Sequence, residues 1–72
     1  DLIVEDRRSG ELAGLEIKLT STPTVRHARH LLRLRNRVGD RFRTGLVVHS
    51  GTQTLPLGDR VWAVPVSTLW AT

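Results

Sequence analysis

One stretch of this chain repeats at the helical period and lies between runs that read as strands, an order that settles most of what the chain can become. Within residues 25–38, steps of about 100° per residue place Val25, Ala28, Leu31, Leu32, Leu34 and Val38 on one half of a cylinder. Arg26, Arg29, His30, Arg33 and Arg37 form a narrow stripe opposite. Arg35 breaks the pattern and must snorkel or find a partner. Ser21-Thr22-Pro23-Thr24 supplies a hydroxyl cap beside a proline, and Gly39 with Asp40 marks the stop.

Upstream of the helix, Leu2-Ile3-Val4 and residues 12–19 flank the turn-like Arg7-Arg8-Ser9-Gly10, which predicts a hairpin. With the turn centred on Arg8 and Ser9, Leu2 faces Leu15, Val4 faces Ala13 and Asp1 faces Glu16. This apolar set shares one face, and Asp1, Ile3, Gly14, Glu16 and Lys18 share the other. Downstream, residues 42–48 are almost continuously apolar around Gly45, as in a central strand covered on both faces. Residues 60–66, with Trp62, Val64 and Pro65, read as a last strand near an edge. Ser50-Gly51 and Leu57-Gly58-Asp59 read as turns, and residues 67–70 as a short helix capped by Ser67.

These elements predict a small α/β domain: a hairpin, a crossover helix and two further strands in one mixed sheet, with residues 1–72 as a single domain. The helix is expected to cross right-handed from the Glu16 strand to a parallel strand starting at Phe42. One helix covers one face only. The other face is expected to need packing from sequence outside the chain or from a second copy.

Seventy-two residues without a cysteine leave no disulfide staple, no thiolate metal site and no cysteine nucleophile. No apolar run approaches the ~20 residues that span a bilayer, and no signal peptide is recognisable, so a cytoplasmic, excised domain or fragment is expected. The net charge of +4 is uneven. Arg26, Arg29, Arg33, Arg35, Arg37, Arg41 and Arg43 fall in one stretch whose only acid is Asp40. Such asymmetry suggests a polyanionic partner, with nucleic acid ahead of membrane because no large apolar face accompanies the charge. The stripe Arg26, Arg29, His30, Arg33 and Arg37 suits either phosphate contact or docking on an acidic protein surface.

Lys18 is the single lysine and stands two positions after Glu16 on a strand, so an ammonium and a carboxylate share a face. The hairpin register sets Asp1 opposite Glu16, and like charges so placed repel unless a cation relieves them. Phosphodiester hydrolysis needs a divalent cation on hard oxygen ligands, an activated water and positive charge near phosphorus. Asp1 and Glu16 supply oxygens, the Ile17 backbone carbonyl is a further ligand, and Lys18 suits orienting or deprotonating the water. Mg²⁺ or Mn²⁺ is the expected cofactor. By itself the spacing is a weak signal, since such pairs are common surface ion pairs worth ~0–1 kcal/mol.

The order DLIVE (1–5), turn, GLEIKL (14–19), basic helix and apolar strand resembles the core of the restriction-endonuclease-like PD-(D/E)xK nucleases. More narrowly, with RTGLVVHSG (43–51) and LGDRVWAVPVSTLW (57–70), the whole chain resembles a domain of unknown function. That likeness implies the C-terminal part of bacterial and archaeal AAA-type P-loop ATPases. It implies Asp1 and Glu16 as metal ligands, Lys18 as the catalytic lysine, and DNA, the rest of a parent ATPase or a second copy as partners. The nucleases also carry a helix, often with another acid, before the first strand, and this chain starts at Asp1 without it. A catalytically silent interaction or oligomerisation module on the same scaffold is therefore the rival expectation.

Other residues carry weaker signals. His27 and His30 stand three apart on the helix but about 60° apart around it, which disfavours a shared metal. His49 at the end of the central strand is expected to be a hydrogen-bonded, partly buried histidine. Trp62 and Trp70, amid Val61, Val64 and Leu69, are expected in core or domain-contact packing, with base stacking the alternative. No Walker motif occurs.

Overall fold

A computed structural model describes residues 2–70. Strand β1 (Leu2–Glu5) turns into β2 (Leu12–Ile17), and a single 3-10 turn (Val25–Ala28) runs into helix α1 (Arg29–Val38). After a further 3-10 turn (Gly39–Arg41) come β3 (Phe42–His49), β4 (Leu55–Gly58), β5 (Val61–Pro65) and a closing 3-10 segment (Val66–Trp70). The strands form one five-stranded mixed sheet in the order β1-β2-β3-β5-β4. The hairpin is antiparallel, β2 and β5 flank β3 in parallel, and β4 closes the sheet antiparallel to β5.

The hairpin register is as the turn chemistry predicts: Leu2 pairs with Leu15, Ile3 with Gly14 and Val4 with Ala13. Asp6 fixes the turn, accepting from the Arg8 and Gly10 amides at 2.9 and 2.7 Å while its own amide donates to Glu11 at 2.8 Å. The helix packs on β2 and β3 over the face of Gly14, Glu16, Gly45 and Val47. Two glycines allow that approach. A β-carbon on Gly14 would lie 2.5 Å from Leu31 Cδ2, and one on Gly45 would lie 2.9 Å from Phe42 Cζ. Ala28, Leu31, Phe42, Val47, Leu57, Val61 and Ala63 form the buried cluster, with Leu32, Leu34 and Val38 packed on it.

The sheet differs from expectation at its far edge. Three strands follow the helix, β5 is interior, and β4 is the edge. Leu57 and Gly58, read as turn residues, belong to β4, and the turn is Asp59-Arg60. Pro56 and Gly58 hid the strand, yet both suit an edge, where a missing amide is tolerated, and Leu55 and Leu57 alternate with them toward the core. Arg60 holds a left-handed backbone (φ 61°), and its guanidinium donates to the carbonyls of Gly39 (3.2 Å) and Phe42 (2.6 Å). Val25 was placed on the apolar half of the helix but is exposed, because the chain enters the helix through a 3-10 turn. Arg35 finds its partner by donating to the Asp59 carbonyl at 3.1 Å.

No described element covers the whole of the second face. Leu2, Val4, Ile17 and Trp62 are exposed there, Leu15 and Leu46 are half-buried, and Val48 is buried. Trp62 is therefore not a core residue. The molecule measures 34 × 28 × 17 Å, a thickness that fits one sheet and one helix. No described helix is long and apolar enough to cross a membrane.

Candidate functional site

Glu16 and Lys18 stand two apart on β2 and its continuation, so both side chains fall on the helix-covered face. Lys18 Nζ lies 2.7 Å from Glu16 Oε2. Glu16 is not surface decoration: its side chain is 5% exposed, against 38% for Lys18. Its second oxygen, Oε1, is buried with no hydrogen-bond partner among the described residues. Leaving such an atom unsatisfied costs about 1–3 kcal/mol, a cost that a simple surface ion pair would never incur.

Ladder parity locates the Ile17 carbonyl. The Lys18 amide donates to the Val48 carbonyl at 2.9 Å, so even-numbered residues of this strand point their amide and carbonyl toward β3. Those of Ile17 point to the β1 side, beyond Leu2 and Leu15, the last described pair there. The Ile17 side chain is exposed on the second face and takes no part. Asp1, the other expected carboxylate, lies outside the described residues.

Beyond Lys18 the chain forms one wall of a cleft of about 540 Å³. Thr20, Thr22 and Thr24 line it on one side, and Arg26, His27, Arg29 and His30 line it from the start of the helix. The cleft thus gathers Lys18 with three of the five predicted basic residues, Arg26, Arg29 and His30. Arg33 and Arg37 continue the exposed stripe along the helix and do not line the cleft. Among the described residues, none of Arg26, Arg29, Arg33 and Arg37 has a carboxylate within 4.0 Å, whereas Arg41, Arg43 and Arg60 bridge Glu5, Glu11 and Asp59. Local folding therefore consumes the downstream arginines and leaves the helix stripe open to a ligand.

Spacing arguments missed the threonine wall and weighed His27 only as a metal partner of His30. His27 Nδ1 accepts from the Thr24 amide at 2.9 Å, in the place where a capping box has Glu or Gln. That bond occupies Nδ1 and weighs against a shared metal with His30. The hydroxyl at Thr24 was legible as a cap, but its exposure to the same cleft as Lys18 depends on the turn between β2 and the helix.

His49 is 2% exposed and takes no part in the cleft. Its Nδ1 accepts from the Gly51 amide and its Nε2 donates to the Gln53 carbonyl, both at 2.9 Å. Ser50 in turn donates from its amide to the Thr20 carbonyl at 2.9 Å, so the loop held by His49 braces the threonine wall.

The donors present fit a hard divalent cation in kind: a buried carboxylate with a free oxygen, and a backbone carbonyl beside it. Among the described residues, no three histidine or carboxylate side chains converge.

No curated protein and no solved structure matches the chain. A family model does match, over residues 1–69, and its description is a domain of unknown function, DUF4143. Nearly the whole chain is covered, so the protein belongs to the DUF4143 family.

Proposed function

We propose that this chain is a nuclease-like module that engages the phosphates of DNA in the basic cleft, with phosphodiester hydrolysis as its chemistry. The observation that carries the reading is the buried Glu16 carboxylate, held by the lone lysine at the edge of a cleft whose arginines have no described partners. Parallel β2 and β3 joined through a basic helix also support a scaffold of the restriction-endonuclease-like type. In the family context that the sequence resemblance implies, the module would be the C-terminal part of a cytoplasmic AAA-type ATPase, whose nucleotide site lies elsewhere.

Each group has a defined task. Arg26, Arg29 and His30 bind phosphate oxygens and orient the backbone, and the threonine hydroxyls add neutral donors. Arg33 and Arg37 extend the track along the helix. Asp1, Glu16 and the Ile17 carbonyl would hold Mg²⁺ or Mn²⁺, which when bound lowers the pKa of a water and offsets charge on the phosphate. Lys18 is near enough to Glu16 to orient that water and places a compact positive charge where negative charge grows.

Calorimetric titration with Mg²⁺ or Mn²⁺ tests this before any cleavage assay. Binding by the wild type that is lost in Glu16→Ala, with plasmid cleavage lost in Lys18→Ala, is the expected result; absence of metal binding removes the enzymatic part. Affinity for a generic duplex should fall steeply between about 50 and 200 mM salt, and a flat response removes the DNA-binding part.

A second reading has its own support. Glu16 Oε1 is closed to solvent and Oε2 is taken by Lys18, while Leu2, Val4, Ile17 and Trp62 are exposed on the second face. These features suit a catalytically silent module that holds a protein partner or a second copy. Retained self-association or partner binding in a protein that takes up no metal favours that reading.

A further inference from the structure

Lys18 serves two neighbours. Its ammonium is 2.7 Å from Glu16 Oε2, yet its side chain is over a third exposed and lines the cleft with Arg26, Arg29 and His30. An anion drawn to those two guanidinium groups and the imidazole beside them arrives next to an ammonium already committed to a buried carboxylate. We propose that Lys18 is a shared counterion. An anion in the cleft draws it away from Glu16, and the carboxylate so released becomes available to a divalent cation. Cation and phosphate-type anion then bind with positive coupling, a property that rests on the reading of Glu16 as a metal ligand given above.

The argument is one of charge accounting at fixed positions. With Lys18 in place, Glu16 has one oxygen neutralised and one buried and unpartnered, so the pair is locally neutral and a cation gains little by approaching. Once the ammonium turns to an anion, Glu16 is left as a 5% exposed carboxylate without a counterion. An uncompensated buried charge is strongly unfavourable, and a cation relieves it. The converse holds without metal: an anion taking Lys18 must leave Glu16 bare, so Glu16 weakens anion binding in the metal-free protein. Coupling between two binding events is reciprocal, and typical values are 5- to 150-fold.

Two calorimetric arms separate this inference from the metal reading beneath it. In the first, sodium sulfate is titrated into metal-free wild type and Glu16→Gln, which keeps the side-chain shape and removes the competing charge. Sulfate is expected to bind about 5-fold or more tightly to the variant; equal affinities overturn the shared-counterion proposal. In the second, Mn²⁺ is titrated with sodium sulfate or with sodium chloride at equal ionic strength. Sulfate should tighten Mn²⁺ binding to the wild type by about 5-fold or more and have no such effect on Lys18→Met. Unchanged Mn²⁺ affinity in the wild type, or an effect that survives in Lys18→Met, overturns the coupling. Should Lys18→Met not fold, Lys18→Gln supplies the same comparison with a neutral donor left for Glu16. If Mn²⁺ binds under no condition, Glu16 is not a metal ligand and the coupling falls with it, while the first arm still decides whether Glu16 and the cleft compete for Lys18.

Discussion

Gly51 and His49 show how single positions outside the cleft lining support the cleft. A β-carbon on Gly51 would lie 2.4 Å from the Ser21 backbone oxygen and 3.1 Å from His49 Nδ1, and backbone atoms cannot swing aside as a side-chain tip does. Gly51→Ala should therefore cost about 1–3 kcal/mol in urea denaturation. His49→Leu removes the partners of the Gly51 amide and the Gln53 carbonyl, at about 1–3 kcal/mol for each group left unsatisfied. A loss below 1 kcal/mol in either variant would mean that the loop does not brace Thr20 as described. A hydrogen-bonded His49 was expected from its place at the end of a central strand, and alternation along β2 placed Glu16 and Lys18 on one face. Glu16's burial could not be read that way: it depends on the helix crossing above β2, and either hairpin face was apolar enough to receive the helix, with Ile3 on one side and Leu2 and Val4 on the other.

For the elements, the helix was the most legible and the last hairpin the least. Its period, its hydroxyl-rich entry and Gly39 at its exit all agree with the observed Val25–Ala28 turn and Arg29–Val38 helix. Of the two outcomes open to the misfit Arg35, snorkelling or a partner, the fold supplies a partner in the Asp59 carbonyl. Strand β4 escaped because two of its four residues, Pro56 and Gly58, are strand breakers that only an edge accepts. The helix divides its cations into those at the cleft and those beyond it, and that division is measurable. If the cleft takes phosphates, Arg26→Gln with Arg29→Gln should lower the slope of log affinity against log salt by about 2. Arg33→Gln with Arg37→Gln should leave cleft-bound sulfate unaffected and weaken only long duplexes. Equal losses from both pairs would indicate a diffuse charged surface.

The molecule as a whole is a two-layer fold with little reserve. Among the described residues seven make the buried cluster and one sheet face is partly bare, and the sequence has no cysteine. Domains of this size rarely exceed about 3–5 kcal/mol of stability from a single core. Leu31 sits at its centre, 1% exposed, and Leu31→Ala should cost about 2–5 kcal/mol. That variant should be substantially unfolded at 25 °C by far-ultraviolet circular dichroism, and a cooperative melt near that of the wild type would show that stability comes from elsewhere. The same thinness has an optical consequence. Trp62 shares the register of Leu46 on the bare side, across the sheet from the cleft, and after Trp70→Phe it is the sole indole. Its emission should shift to the blue when that side is covered and stay put while sulfate fills the cleft, so one fluorophore tells which surface has been occupied.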